Sequence, residues 1–347
     1  MSTRAWTLAV LLLAGVCATP AVSAASSDSL IWQRVAAGMR IVDPEHPETV
    51  TWARRYARNP TAFAEMLGRS EPFLWYIVEA VELRDMPLEL ALLPAVESGF
   101  DPHAASGKRA RGLWQFVPWT SRALGLAHTA NYDARRDPVA STRAALSYLQ
   151  GLHSRFDDWL LAVAAYNVGD ARLASAMRQQ DTRNFWDLSL PKETRDHVPR
   201  LLGVALLIKQ PRRFNVQLPP IRNRQAAEVV RLPQALNLAQ AARDAQIPNA
   251  RLERYNPGLN SAANTTGKQA VLLPQADAAR LRLVLAAGDY PPLPMPNVVE
   301  HVVKPGESLW IIARRYQVSV REVEHWNNLS AKASLRVGRR LKLHLES

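Results

Sequence analysis

The stretch Pro87 to Ser98, PLELALLPAVES, is apolar on nearly every face and ends beside a single carboxylic acid, Glu97. Leu88, Leu90, Leu92, Leu93 and Val96 leave no polar stripe, so a helix here has to be buried. Three conditions at its end favour the protonated acid: partial burial, the negative end of the helix dipole, and no Lys or Arg in the preceding turn. A carboxyl group kept protonated near neutral pH is suited to general-acid catalysis. Taken alone, a Glu at a helix end is usually solvated surface, so the flanking sequence decides. Glu97 belongs to PAVESGFDPHAASGKRARGLWQFVPWT, and LAVAAYNVGD follows about fifty residues later.

The elements that position these segments read as helices. Pro138 to Phe156 carries Leu146, Leu149, Leu152 and Phe156 at three- and four-residue steps behind an Asp137-Pro138 start, with Asp as N-cap and Pro as first helical residue. A short apolar helix from Trp159 to Val168 is stopped by Gly169. Another runs from about Glu193 to Lys209 through Val198, Leu201, Leu202, Ala205 and Ile208. Alternating strand patterns are absent from Ser29 to about Gln210, so this part is expected to be all-α. Pro-bearing stretches follow at 211–220 and 289–297, the second, DYPPLPMPN, a semi-extended spacer. Beyond it, His301 to Val303 reads as a strand, Leu309 to Tyr316 and Ser319 to Asn327 as helices, and Leu341 to Leu345 as a closing strand, a compact βααβ unit. Sliding the preceding region against it at an offset of 71 places Leu238 on Leu309, Ala242 on Ala313, Ile247 on Val318, Leu252 on Val323, Tyr255 on Trp326 and Asn256 on Asn327. A degenerate second copy of the same fold is therefore expected.

Composition bounds the rest. With 347 residues, two or three domains are expected, and 48% hydrophobic against 21% charged residues excludes wholesale disorder and a disulfide scaffold. The net charge of +12 asks for an anionic partner. Arg4, an apolar run from Leu8 to Val16 and a small-residue exit at Val22-Ser23-Ala24 read as a secretory signal peptide, too short to span a membrane. The lone cysteine, Cys17, raises lipid anchoring, but Val16 stands where a small residue would be needed before a lipidated cysteine. Cleavage after Ala24 is preferred, and export makes nucleic acid an unsuitable partner.

The Glu97-Ser98 pair, the Gly112-Leu113-Trp114-Gln115 element and the Ala165-Tyr166-Asn167 element together resemble the lysozyme-like, goose-type lytic transglycosylases of bacterial cell walls. With NYDARRDPVAST before the Tyr-Asn motif and the C-terminal repeat, the chain is most similar to the membrane-bound members of that family, from about Ile31 onward. The resemblance implies a mainly α lysozyme-like catalytic domain with a groove for peptidoglycan glycan strands, followed by small α+β (βααβ) LysM-type modules. It makes Glu97 the catalytic acid and then base for cleavage of the β-1,4 bond from N-acetylmuramic acid to N-acetylglucosamine, leaving 1,6-anhydro ends. Ser98, Ser106, Gly112, Gln115, Tyr166 and Asn167 become substrate-binding positions, with Gly112 letting backbone approach the sugar. Where the family often has Tyr after Glu-Thr-Arg, this chain has His197. Trp114, Phe116, Trp119 and Tyr166 read equally as core aromatics.

HVVKPGESLWIIARRYQVSVREVEHWNN resembles a LysM module, whose family binds N-acetylglucosamine-containing glycans. Gly306, Glu307, Ser308 and Leu309 in the first loop, with Asn327 and Asn328 ending the second helix, are the implied glycan contacts. Residues 298–347 hold nine Lys or Arg against five Asp or Glu, as suits an anionic polymer. The expected layout is a signal peptide at 1–24, an N-terminal helical segment at 25–85, the transglycosylase domain at 86–215, a degenerate LysM-like unit at 226–290 and a LysM domain at 298–345.

Most glycosidases need two carboxylates. Asp101, Asp133 and Asp137 read as turn or capping residues, so no second acid stands out, which fits the single-Glu scheme. A hydrolytic muramidase and a non-catalytic wall-binding scaffold are the alternatives. The eight histidines show no metal-ligand spacing and no phosphate loop is present, so neither metal nor cofactor is expected. A periplasmic monomer is expected, with association with the outer membrane left open.

Overall fold

Apolar residues at helical spacing build ten α-helices among the described residues up to Lys209. The protein is described from a computed structural model covering residues 30–107, 109–129, 131–232, 236–259, 270–288, 297–316, 318, 320–327, 329 and 335–345. The expected signal peptide, Cys17, Asn328 and nearly all of the DYPPLPMPN spacer lie outside the described residues. The helices are α1 (Ile31–Ala37), α2 (Pro47–Ala57), α3 (Pro60–Gly68), α4 (Leu74–Glu82), α5 (Leu93–Glu97), α6 (Pro118–Ala123), α7 (Pro138–Phe156), α8 (Trp159–Val168), α9 (Asp170–Gln180) and α10 (Lys192–Lys209). Asp137 caps α7 by accepting from the Val139 and Ala140 amides at 2.8 and 2.9 Å, and Asp158 caps α8 through Leu161 at 2.9 Å. Gly169, at φ +90°, ends α8.

The single helix expected over Pro87 to Ser98 is divided. Leu88–Leu92 is a 3-10 turn and α5 has only five residues. Pro94 has no N–H to give to the preceding turn, which ends the tighter helix and starts α5. The buried carboxylate of Glu89 anchors the 3-10 turn, accepting from the backbone amides of Arg40, Ile41 and Val42 at 3.1, 2.7 and 2.9 Å.

Across the boundary expected at residue 85, α1 to α4 share one apolar core with α5, α7, α8 and α10. Helix α2 lies against α10 where Gly203 allows it: a Cβ there would fall 2.8 Å from Trp52 Cβ and 2.9 Å from the Ala53 nitrogen. The far end of the domain returns to its start, with Ile31 N bonded to Ile221 O at 2.9 Å and Trp32 Nε1 to Pro219 O at 2.7 Å.

Two βααβ units follow. In the first, β1 (Ala227–Arg231) and β2 (Ala270–Pro274) pair antiparallel around α11 (Leu238–Asp244) and α12 (Asn249–Tyr255), and α13 (Gln275–Ala287) packs on the sheet. In the second, β3 (Asn297–Val302) and β4 (Arg340–Leu345) pair around α14 (Leu309–Arg315) and α15 (Val320–Trp326), so its first strand begins four residues before the expected His301. The polar skeleton repeats, at the offset of 71 through the two helices and at 70 on the closing strand. Asn237 and Ser308 cap the first helix of each unit by accepting from Gln240 and Ile311. Asn256 Nδ2 donates to Leu252 O and Leu272 O while its Oδ1 accepts from Leu272 N; Asn327 makes the same three bonds to Val323 and Lys342.

The first unit has its own core but is fastened to the helical domain. Ala227 and Leu272 enter the helical core, and Asp133 N donates to Gly258 O at 2.8 Å. A Cβ on Gly258 would lie 2.8 Å from Asp133 O and 3.0 Å from Asp137 N, both backbone atoms with no freedom to withdraw. Gly258→Ala is therefore expected to lower the unfolding free energy of the full chain by about 1–3 kcal/mol, read as a lower denaturant midpoint, because overpacking exceeds the entropy gained from losing a glycine. Chemical denaturation followed by tryptophan fluorescence checks this.

Candidate active site

Between α5, α6, α7, α8 and α10 lies a cleft of about 700 Å³. Glu97 ends α5 on its wall; Ser106 and Gln115 come from the loop that follows, Tyr148 from α7, Tyr166 and Asn167 from α8, and Glu193, His197 and Arg200 from α10. Five helical residues carry too few aligned peptides for a dipole to hold the carboxyl group, so neighbouring side chains do it. His197 Nε2 stands 2.9 Å from Glu97 Oε1, and the two side chains are 4% and 13% exposed. Glu97 is thus mostly desolvated with one oxygen engaged; no described residue bonds the other. Arg200 Nη2 donates to Val96 O at 3.2 Å, which fixes the end of α5 on α10.

Most of the other motif residues hold the loop that faces Glu97. Gly112, at φ +81°, is a glycine because a Cβ would sit 1.9 Å from Arg135 O. It is buried and is not among the residues that line the cleft. The Ser98 Oγ donates within the protein, 2.9 Å from Leu113 O and 3.0 Å from Pro94 O, tying α5 to the loop. Tyr166 presents its ring to the cleft but donates its hydroxyl to Trp114 O at 2.8 Å. Burial, with the nearby Glu97 charge, pushes that phenol well above its ordinary range, so it stays a neutral donor.

Gln115 and Asn167 divide the remaining polar work. The Gln115 amide nitrogen is spent on Gly112 O at 2.9 Å and Ala104 O at 3.2 Å, and no described residue bonds its oxygen. Asn167 is the converse: its oxygen accepts from Thr194 Oγ1 at 2.8 Å, and its amide hydrogens have no partner among the described residues. One side of the cleft therefore offers an acceptor and the other a donor. Ser106 lines the rim, its Oγ accepting from Ala110 N at 3.2 Å.

The three aspartates read as structural are so placed. Asp101 accepts from His103 N, and Asp137 caps α7 and accepts from Tyr132. Asp133 binds Arg135 and is held well below the usual carboxylate range by its bonds to His128 and Arg135, against the cost of burial. Sequence reasoning nevertheless missed a second carboxylate: Glu193 lines the cleft, exposed, one helical turn before His197. Its Lys-Glu-Thr-Arg context reads as an ordinary helix start, so only the tertiary fold reveals it. Of the four aromatics, Trp114 and Phe116 are core and Tyr166 lines the cleft, whereas Trp119 is 74% exposed between the cleft residues Val117 and Thr120.

In the C-terminal unit, the implied glycan positions mostly hold the unit together. Gly306 makes the turn at φ +79°, Ser308 caps α14, Leu309 packs on the apolar core and Asn327 pins β4. Glu307 accepts from Lys304 N at 2.9 Å, His301 at 2.7 Å and Arg315 at 2.5 Å, which leaves little of its carboxylate for a sugar. Trp310, 60% exposed with Arg314 against its ring, is the aromatic surface there. Among the described residues, no cluster of His, Cys, Asp and Glu could hold a metal ion, and no helix is long and apolar enough to cross a membrane.

The Transglycosylase SLT domain family matches residues 77–189, and the LysM domain family matches residues 301–344. The chain is 38% identical over 316 residues to membrane-bound lytic murein transglycosylase D of Escherichia coli K12, covering 87% of this chain and 70% of that one. It is 37% identical over 111 residues to a peptidoglycan transglycosylase of Escherichia phage T7, 31% of this chain and 8% of that one. Among solved structures, the lytic transglycosylase Slt of Pseudomonas aeruginosa, an inactive mutant, aligns with 42% of this chain and 25% of that one at 27% identity and a TM-score of 0.30.

The bonds from Lys304 N, His301 and Arg315 lower the Glu307 carboxyl from its ordinary 4.5 to about 2. A depressed carboxyl stabilises the fold fully above its unfolded value and loses that contribution as pH falls through the folded one. Glu307→Gln is expected to lower the thermal transition of the C-terminal unit at pH 7 but to leave it nearly unchanged at pH 2, as calorimetry of the full chain would record.

Proposed function

The chain belongs to the family of membrane-bound lytic murein transglycosylase D, and on that premise we propose that it cleaves peptidoglycan glycan strands without water, leaving 1,6-anhydro ends. The observation that carries this reading is the state of Glu97: a mostly buried carboxyl group with one oxygen bonded and the other bonded by no described residue, on the wall of a cleft of about 700 Å³. Glu97 gives its proton to the glycosidic oxygen as the bond from the anomeric carbon to that oxygen breaks. The muramyl 6-hydroxyl oxygen then bonds to the same carbon, and its proton returns to Glu97. Every atom of the product comes from the sugar, and the acid is regenerated. Gln115 and Asn167 hold the strand by accepting from one sugar group and donating to another, with Tyr166 and Ser106 lining its path.

The C-terminal unit acts as a LysM module that keeps the enzyme on an insoluble polymer by raising its effective concentration there. With Glu307 and Asn327 spent internally, the loop from Gly306 to Leu309 meets the glycan through its backbone and through Trp310 beside it. Residues 226–275 are a second copy of that fold, serving as a brace for the catalytic domain. The signal peptide at 1–24 exports the chain to the periplasm, where the peptide carboxylates of the wall complement its positive charge.

Hydrolysis is the second reading, and Glu193 is the observation that favours it, since a two-carboxylate mechanism needs such a group in the cleft. Digestion of purified sacculi with mass spectrometry of the termini separates the two: anhydro ends support the proposal and reducing ends support hydrolysis. Glu97→Gln is expected to lower the cleavage rate by a factor of at least about 100 with the melting temperature retained. Glu193→Gln is expected to keep activity within a few fold; a loss as deep as that of Glu97→Gln would transfer the reaction to a carboxylate pair.

A further inference from the structure

A single-carboxyl mechanism leaves open which of the two oxygens of Glu97 carries the proton. An acid protonated on the wrong oxygen cannot reach the glycosidic bond. The contact with His197 answers this, on the premise that Glu97 is the acid and base of the reaction. His197 is 3% exposed on the buried side of α10, next to the buried Val198 and Pro199, where a hydrocarbon side chain would fill the space without burying polar atoms. Its Nε2 meets Glu97 Oε1 at 2.9 Å, while its Nδ1 is buried with no hydrogen-bond partner among the described residues.

The neutral ring has two tautomers. With the proton on Nδ1, a buried N–H would be left without an acceptor, and Nε2 would have to accept a proton carried on Oε1, which is turned toward α10. With the proton on Nε2, only a lone pair is left unpartnered at Nδ1, and buried unpaired donors are the rarer defect. In that form Nε2–H donates to Oε1, and the carboxyl proton belongs to Oε2, the oxygen that no described residue bonds. We propose that His197 is a positioning residue which, as the Nε2–H tautomer, binds Oε1 of Glu97 and assigns the proton transferred in both steps to Oε2.

The ring itself neither gains nor loses a proton. When Oε2 releases its proton to the leaving oxygen, the Nε2–H···Oε1 bond becomes charge-assisted and strengthens, and it relaxes again when Oε2 takes the hydroxyl proton. The stabilisation therefore falls on the charged state reached in the reaction rather than on substrate binding. Among the described residues, the other charged and titratable groups around the pair are Arg200, whose guanidinium donates to Val96 O, Glu193 on the same helix, and Tyr148 and Tyr166 across the cleft.

The test uses the full chain acting on uncrosslinked glycan strands. His197→Phe, which fills the space without a donor, is expected to lower kcat by about 10- to 100-fold with KM within about twofold of the parent. His197→Gln places an amide N–H near the position of Nε2 and is expected to restore most of kcat. Long-range proton–nitrogen NMR of 15N-histidine protein, with the His197 signals assigned by their loss in His197→Gln, is expected to show Nε2 protonated and Nδ1 bare. Equal losses in the two variants, a change confined to KM, or an Nδ1–H signal would overturn the proposal. If His197→Phe does not fold, His197→Gln and the spectrum still decide. Reducing ends from the parent enzyme would instead overturn the single-carboxyl scheme on which this rests.

Discussion

Everything in the catalytic half depends on α10 being buried along almost its whole length while crossing the end of α5. A five-residue helix cannot fix the direction of its last side chain, so Glu97 is oriented from outside, by His197 on its carboxyl group and by Arg200 on the carbonyl before it. The same helix sets the opposite wall, because Thr194 holds the oxygen of Asn167 and leaves its amide hydrogens turned to the cleft. Helix α10 can serve both walls only if it does not shift, and the close approach of α2 at Gly203, with no room for a Cβ, supplies that restraint. The N-terminal helices are therefore part of the catalytic scaffold.

The Gly-Leu-Trp-Gln element shows how a motif associated with chemistry is made largely of geometry. Gly112 is demanded by the backbone of Arg135 and Trp114 donates its indole N–H to Thr142 on α7. The Trp114 carbonyl is claimed by Tyr166, and the Leu113 carbonyl by Ser98. These ties run to α5, α7 and α8, so the loop fixes the mutual positions of three helices that contribute to the cleft. Gln115, at φ +48°, follows the tightest point of the turn, and its amide nitrogen closes the loop while no described residue bonds its oxygen. A substitution in this element would disturb the site even where the residue touches no sugar.

What the sequence made legible follows from the range of the interactions involved. Helices α7, α8 and α10 were readable because their caps and apolar spacing are local, and Glu97 was readable because an acid ending an apolar run is a local anomaly. Pro94 was equally visible, yet the apolar run around it hides the break that its missing N–H imposes. The partner of Glu97 lies 100 positions away: His197 stands out only as a departure from the family's Tyr, with no sign that it meets Glu97, and Glu193 has no local signal that sets it apart from a helix surface residue. Glu89 was hidden for the same reason, since the three amides it binds come from a loop nearly 50 residues earlier. Trp119 was ambiguous because composition alone cannot tell an aromatic of the core from one left in solvent.

The two βααβ units separate what keeps a small fold from what gives it a ligand. Each is closed by an asparagine that joins the end of the second helix to the closing strand through three hydrogen bonds, and each starts its first helix with a side-chain cap. Those bonds satisfy backbone groups that a core of this size could not bury unpaired, so they persist while the surface changes. The surfaces have changed. Where the C-terminal unit exposes Trp310, the first unit has Ala239, and the loop that follows Asn256 is bonded through Gly258 to Asp133. A loop pressed against backbone at that distance has no room for a sugar beside it. Asp133 lies four residues before the cap of α7, so the first unit, by closing on that turn, restrains the start of a helix that carries Tyr148 to the cleft.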